Sequence, residues 1–115
     1  MAYRVAARAQ GKVERSEHAS LADALEALIT AARIAAAGPR ASTVDLKARR
    51  WAPEDQVSAR VELRGPTRWR PATAAGIDVL GDGSLRAWTG APERRAVEPG
   101  AGEDAYDALR RVLTG

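Results

Sequence analysis

The 115-residue sequence contains no cysteine, no phenylalanine and no asparagine, and it has only one histidine. Without cysteine the chain has no disulfide framework, no thiol nucleophile and no thiolate metal site. It also lacks an apolar run of the roughly 20 residues that span a bilayer. Arg4, Arg8 and Lys12 interrupt the N-terminal stretch, which is unlike a secretory signal. We therefore expect a single cytoplasmic domain over residues 1–115 that is not embedded in a membrane.

Positive charge is carried almost entirely by arginine, because only Lys12 and Lys47 among the 18 basic residues are lysine. Fifteen acidic residues reduce the formal net charge to +3. A basic protein is compatible with a nucleic-acid partner. However, the abundant residues Ala, Gly, Arg and Pro have GC-rich codons, whereas Phe, Asn and Lys have AT-rich codons. A GC-rich genome would produce the same bias, so arginine content alone does not indicate nucleic-acid binding.

The N-terminal segment has the pattern of a hairpin. Apolar and polar residues alternate from Tyr3 to Ala9, which is typical of a half-buried strand. Gln10-Gly11 predicts a two-residue turn, in which the glycine supplies a positive φ. The segment from Lys12 to His18 is predicted to be the returning strand, and its polar character favours a sheet edge.

A helix is predicted from Leu21 to Ala37. The Ser20 hydroxyl can cap its first turn, with Asp23 at the capping-box position. Gly38-Pro39 is expected to end it, because glycine tolerates a left-handed cap and proline cannot continue a helix. The apolar residues at helical spacing are Leu21, Leu25, Leu28, Ile29, Ala32 and Ala36.

Two further alternating segments, residues 44–49 and 57–64, predict a second pair of strands. Two registers keep the apolar residues on one face. We favour the register with two attractive charge pairs over the one with two repulsive pairs. In the favoured register, Lys47 faces Glu62, Asp45 faces Arg64, Arg49 faces Arg60, Ala48 faces Val61 and Leu46 faces Leu63.

The C-terminal half predicts a third hairpin and a closing helix. A three-residue loop at 81–83, with Gly83 at the bulge position, would pair Val79 with Leu85, Ile77 with Ala87 and Asp78 with Arg86. The segment 65–75 is predicted to be a loop, Ala96 to Glu98 is a candidate short strand, and Glu103 to Leu113 is the closing helix. Its predicted apolar stripe is Tyr106, Leu109, Val112 and Leu113.

The order β-β-α-β-β-β-β-α predicts an α+β fold of two layers. An antiparallel sheet of hairpins would pack one face on the first helix. The C-terminal helix would pack on the sheet or on its edge.

No pattern in the sequence indicates catalysis, a metal or a cofactor. His18 could act as a base towards Ser16 or Ser20, but no orienting third group is evident, and Ser20 is explained as a helix cap. Asp78 and Asp82, and also Glu54 and Asp55, could bind a cation, but a complete ligand set is missing. We therefore expect a protein that is not an enzyme and binds no cofactor.

The tryptophans all have arginine neighbours, a combination that is enriched in binding surfaces. Alternatively, the closing helix could cover Trp88 and Trp51, or an arginine could stack on a tryptophan as a solvated lid. The candidate binding residues are Arg49, Trp51, Arg60, Arg68, Trp69, Arg70, Arg86 and Trp88.

These observations favour a non-catalytic protein-interaction module, either self-associating as a homo-oligomer through a Trp/Arg surface or binding a protein partner. The alternative is a nucleic-acid-binding domain that uses a basic, tryptophan-containing sheet face and the loop with Arg68, Trp69 and Arg70. The two hypotheses differ in whether the basic residues converge in space.

Overall fold

The computed structural model describes residues 2–9, 11–38, 44–46, 49–51, 57–66, 73–91 and 93–114. In the two short strands at 44–46 and 49–51 it describes the backbone alone. The elements along the chain are β1 (Tyr3–Ala9), β2 (Lys12–His18), α1 (Leu21–Ala36), β3 (Val44–Leu46), β4 (Arg49–Trp51), β5 (Val57–Gly65), β6 (Thr73–Leu80), β7 (Leu85–Thr89), β8 (Arg95–Val97) and α2 (Ala105–Thr114).

Six strands form one antiparallel sheet in the order β2-β1-β5-β6-β7-β8, and both helices pack on the same face of it. The predicted α+β fold of two layers is confirmed. Along the chain, the elements of this sheet and the two helices follow the predicted order β-β-α-β-β-β-β-α. The core between the layers consists largely of Ala, Val, Leu and Ile side chains, including Val61 and Ile77 from the centre of the sheet. Within the described part of the chain, neither α1 nor α2 has the length and apolar character of a membrane-spanning helix.

The N-terminal hairpin and the start of α1 agree with the predictions. Ala9 pairs with Lys12 across a two-residue turn in which Gly11 has a φ of 76°. The backbone N–H of Asp23 donates to Ser20 Oγ at 3.1 Å, so Ser20 is the N-cap. The end of α1 differs, because Gly38 is not in the left-handed region and its N–H donates to the carbonyl of Ala35. Pro39 lies outside the described residues.

The predicted pairing of residues 44–49 with 57–64 is wrong. β3 and β4 instead pair with each other, with Val44 opposite Trp51 and Leu46 opposite Arg49. β5 lies between β1 and β6. A local hairpin closes a shorter loop than the predicted pairing would, at a lower entropic cost. Lys47 and Ala48, on which the favoured register partly depended, lie outside the described residues.

The third hairpin has the predicted register in full. Val79 pairs with Leu85, Asp78 with Arg86 and Ile77 with Ala87, as expected from a three-residue loop. Gly83 has a φ of 87°, the conformation that the bulge position requires. The expected loop at 65–75 is shorter than predicted, because β6 begins at Thr73. The candidate strand near Ala96 is confirmed as β8.

The C-terminal helix begins with a reciprocal cap. The N–H of Asp107 donates to Asp104 Oδ1 at 2.8 Å, and the N–H of Asp104 donates to Asp107 Oδ2 at 3.2 Å. Tyr106 and Leu109 are buried against the core, as predicted. The prediction for Val112 is wrong, because its side chain lies on the exposed side of the helix.

We expect Leu28→Ala to lower the free energy of unfolding by about 2–5 kcal/mol, because it leaves a cavity in the core. Leu28 is fully buried beneath the sheet, whereas Ile34 on the same helix is 71% exposed. The control Ile34→Ala should change the free energy by about 0.5 kcal/mol or less. Urea unfolding followed by circular dichroism measures both values. Equal losses in the two variants would contradict the observed packing of α1.

Candidate binding face of the sheet

The face of the sheet opposite the helices, which we call the outer face, carries most of the charged side chains of the sheet. Neighbouring strands place these residues in three rows that cross the sheet. The first row is Val13, Arg8, Arg60, Asp78 and Arg86. The second is Arg15, Ala6, Glu62, Gly76, Trp88 and Ala96. The third is Glu17, Arg4, Arg64 and Ala74.

Asp78 is the buried charge at the centre of the first row. Arg60 stands directly opposite it and donates from Nε to Oδ1 at 2.7 Å and from Nη2 to Oδ2 at 3.0 Å. Trp88 Nε1 donates to Oδ1 at 3.1 Å. The hydrogen bond to Asp78 raises the pKa of the Arg60 guanidinium above its usual value. A carboxylate that is only 5% exposed is therefore both paired and hydrogen-bonded.

Trp88 lies flat on the sheet because the residue beneath it is Gly76. A Cβ atom at position 76 would lie 2.7 Å from Trp88 Cε2 and 2.5 Å from the carbonyl oxygen of Val61. Arg94 covers the other side of the indole, with its Cζ atom 4.7 Å from the ring centroid. Trp88 is consequently only 2% exposed. Of the alternatives drawn from the sequence, the arginine lid is the one observed, since α2 packs on the opposite face.

Glu62 holds three arginines around a single carboxylate. Arg94 Nη2 donates to Oε1 at 3.2 Å. Arg8 and Arg64 approach Oε2 more loosely, at 3.7 and 3.8 Å. The Glu62 side chain is largely covered, whereas those of the three arginines are each more than a third exposed. One carboxylate thus positions three guanidinium groups without neutralising them.

Counted over the described residues, the outer face is positively charged. It carries Arg4, Arg8, Arg15, Arg60, Arg64, Arg86 and Arg94 against Glu17, Glu62 and Asp78, an excess of four positive charges. An open groove of about 550 Å³ runs over β2, β1 and β5, and its charged lining is Arg4, Arg8, Arg15, Arg64, Glu17 and Glu62. Guanidinium groups arranged in this way can bind carboxylates or phosphates through charge-assisted hydrogen bonds.

The structure brings three of the eight predicted site residues together on the outer face, namely Arg60, Arg86 and Trp88. Arg49 and Trp51 lie in β4, which is not beside β5, and their side chains are outside the described part of the chain. The remaining three, Arg68, Trp69 and Arg70, also lie outside it.

Other charged residues of the face were not among the eight predicted site residues. The alternation in β1 and β5 already placed Arg4, Arg8 and Arg64 opposite the apolar side chains of their strands, which was a usable signal. Arg94 gave no such signal, because it precedes β8 and reaches the face from a connecting segment.

The candidate catalytic groups have other partners. His18 Nε2 lies 2.8 Å from Ser16 Oγ on the exposed strand β2, and Ser20 caps α1. Asp82 accepts the N–H and the hydroxyl of Ser84 within the β6–β7 turn. Glu54 and Asp55 lie outside the described residues. Over the described ranges, no three carboxylate or histidine side chains are grouped so that they could hold a metal ion.

Comparison of the chain with models of known families, with curated proteins and with solved structures finds no match. Its function therefore has to be inferred from the geometry of the outer face.

We expect Asp78→Ala to lower the free energy of unfolding by about 2–3 kcal/mol, because it leaves Arg60 and the Trp88 N–H without their partner. The emission of Trp88 should also shift to longer wavelength as water reaches the indole. The measurement uses a background with Trp51→Phe and Trp69→Phe, so that only Trp88 emits. The control is Glu98→Ala, which removes an exposed side chain. An unchanged emission maximum in the Asp78 variant would show that the carboxylate does not hold the indole.

Proposed function

We propose that this chain is a non-catalytic interaction module that binds an acidic surface of a partner protein through its outer face. The observation that carries this proposal is the convergence of seven arginines on one sheet face that neither helix covers. The contact surface would centre on the groove between Arg4, Arg8, Arg15 and Arg64.

The arrangement of the arginines supports binding. Arg8, Arg64 and Arg94 are grouped around Glu62, so part of their conformational entropy is lost before a partner arrives. Arg4 and Arg15 form no ion pair within the described part of the chain, and their guanidinium groups are available to carboxylates. Arginine is also among the residues that contribute most at protein interfaces.

The residues present support a protein partner more than a nucleic acid. Glu17 and Glu62 line the groove, so basic side chains of a partner protein can pair with them beside the carboxylates that the arginines bind, whereas a phosphate backbone offers no such positive groups. Single-stranded nucleic acids commonly stack their bases on exposed aromatic rings. The indole of Trp88, however, is covered by Arg94 and hydrogen-bonded to Asp78. A face with both signs of charge matches the mixed polarity of a protein surface.

Nucleic-acid binding is the second candidate, because it requires basic residues that converge on one face, and the outer face carries an excess of four positive charges among the described residues. It requires that phosphate contacts dominate, which makes the affinity strongly dependent on salt.

We propose that the chain is not an enzyme, because Ser16 and His18 lack an orienting third group among the described residues. We also propose that it binds no cofactor, because the described residues provide no group of carboxylate or histidine ligands.

The double variant Arg4→Glu/Arg64→Glu tests the face directly. In affinity capture from nuclease-treated extract of the source cells, we expect partners retained by the wild type to be reduced at least about tenfold, the effect of losing roughly 1.4 kcal/mol of binding free energy. Arg95→Glu makes a single charge reversal on β8 with the side chain on the other side of the sheet, and it should retain the partners. Each retained protein is then purified and titrated against all three forms. Equal binding by the double variant would overturn the proposal.

A parallel titration with labelled mixed-sequence RNA and DNA separates the two candidates. We expect oligonucleotide binding at low salt to disappear at physiological salt, because it would rest on phosphate contacts alone. Fluorescence anisotropy measures it. Binding that persists at physiological salt and is lost in Arg4→Glu/Arg64→Glu would assign the outer face to nucleic acid instead.

A further inference from the structure

The strand β2 forms one long edge of the sheet. It runs over seven residues, and no strand in the described ranges pairs with its outer side. All of its residues except His18 are exposed. The opposite edge, β8, is only three residues long and is contacted by α2. An open edge of this length presents backbone N–H and C=O groups to any strand that can align with it.

The hairpin geometry identifies which groups are available. A two-residue turn closes on a hydrogen-bonded pair, here Ala9 and Lys12, so the backbone groups of Lys12 point towards β1. The direction alternates along the strand. Val13, Arg15 and Glu17 therefore direct their N–H and C=O groups away from the sheet.

A second copy of the chain can pair with this edge only in certain registers. Antiparallel pairing about a two-fold axis perpendicular to the sheet places residues of the same face opposite each other. We call the residue that lies beside the two-fold axis the centre of the register. A centre at Glu14, Arg15 or Glu17 sets that charged residue against its own copy, which is repulsive. A centre at Val13 aligns only the first residues of the strand.

A centre at Ser16 is complementary throughout. Arg15 of each copy faces Glu17 of the other on the outer face, and Glu14 faces His18 on the helix side, with the two Ser16 residues at the axis. Arg15 and Glu17 are also residues whose backbone groups point outwards, so the same pairs exchange hydrogen bonds. Within each copy Glu17 stands opposite Arg4, which gives it a positive neighbour on both sides.

We propose that two copies of this chain associate by antiparallel pairing of their β2 strands, centred at Ser16, which joins the two sheets into one. Charge complementarity in this single register identifies the second copy as the occupant. Because only a short strand edge is buried, the dimer is expected to dissociate in the micromolar range.

A competing interpretation is that the charges on β2 protect the edge from pairing altogether. Protection requires charge on the strand but no complementarity between copies. The two interpretations therefore differ in their response to charge reversal, which weakens a paired edge and leaves a protected edge monomeric.

Sedimentation velocity on the full chain provides the test. We expect a concentration-dependent dimer for the wild type, and a dimer weakened about tenfold or more in Arg15→Glu and in Glu17→Arg, because each variant sets two like-charge pairs across the axis. An equimolar mixture of the two variants should dimerise again, since each pair then contains one arginine and one glutamate. Lys12→Glu, which lies outside the five paired residues, should leave the dimer intact. Circular dichroism confirms that each variant is folded.

A wild type that stays monomeric at high micromolar concentration would overturn the proposal, and so would a mixture that dimerises no better than its components. A dimer unaffected by Arg15→Glu would place the interface elsewhere and reject the β2 pairing. Arg15 and Glu17 also line the groove of the outer face, so the separate test of that face is partner capture with Arg4→Glu/Arg64→Glu, which leaves every β2 residue unchanged.

Discussion

A buried carboxylate needs hydrogen-bond and charge partners within the sheet, and Asp78 obtains them through a chain of dependent contacts. Arg60 stands opposite it and supplies charge and two hydrogen bonds, and the indole of Trp88 supplies a third. The indole can reach Asp78 only by lying across the backbone, which requires Gly76 beneath it. Arg94 covers the other side of the ring and also forms an ion pair with Glu62, whose carboxylate lies near Arg8 and Arg64 as well. The charge pattern of the outer face thus continues outwards from one buried group.

Local patterns in the sequence determined the parts of the fold that short-range physics controls. The pairing of Val79 with Leu85 follows from the loop at Gly83, and the start of α1 follows from Ser20. In both cases the interacting residues are close in sequence, so turn geometry or a single side chain fixes the outcome.

The neighbours of β5 could not be predicted in the same way. Its alternation shows that Val61 and Leu63 face a core, but any strand with the same alternation would fit beside it. Charge pairing favoured residues 44–49, yet an exposed cross-strand pair contributes only about 0.2–1 kcal/mol. The actual neighbour is β1, which offers Val5 and Ala7 to the same core. The sequence also offered an arginine lid on a tryptophan, but it did not identify Arg94, which lies in the segment before β8, as the residue that forms it.

The strand order also determines when the sheet can be completed. β5 joins the N-terminal hairpin to β6, with Arg4 opposite Arg64 across a long stretch of intervening chain. During synthesis the hairpin and α1 emerge first, and the edge of β1 that faces away from β2 has no neighbouring strand until β5 follows. Contacts so distant in sequence are slow to form, and the hairpin meanwhile exposes two free edges. One of them belongs to β2, while the edge of β1 gains its neighbouring strand only when residues 57–65 have left the ribosome.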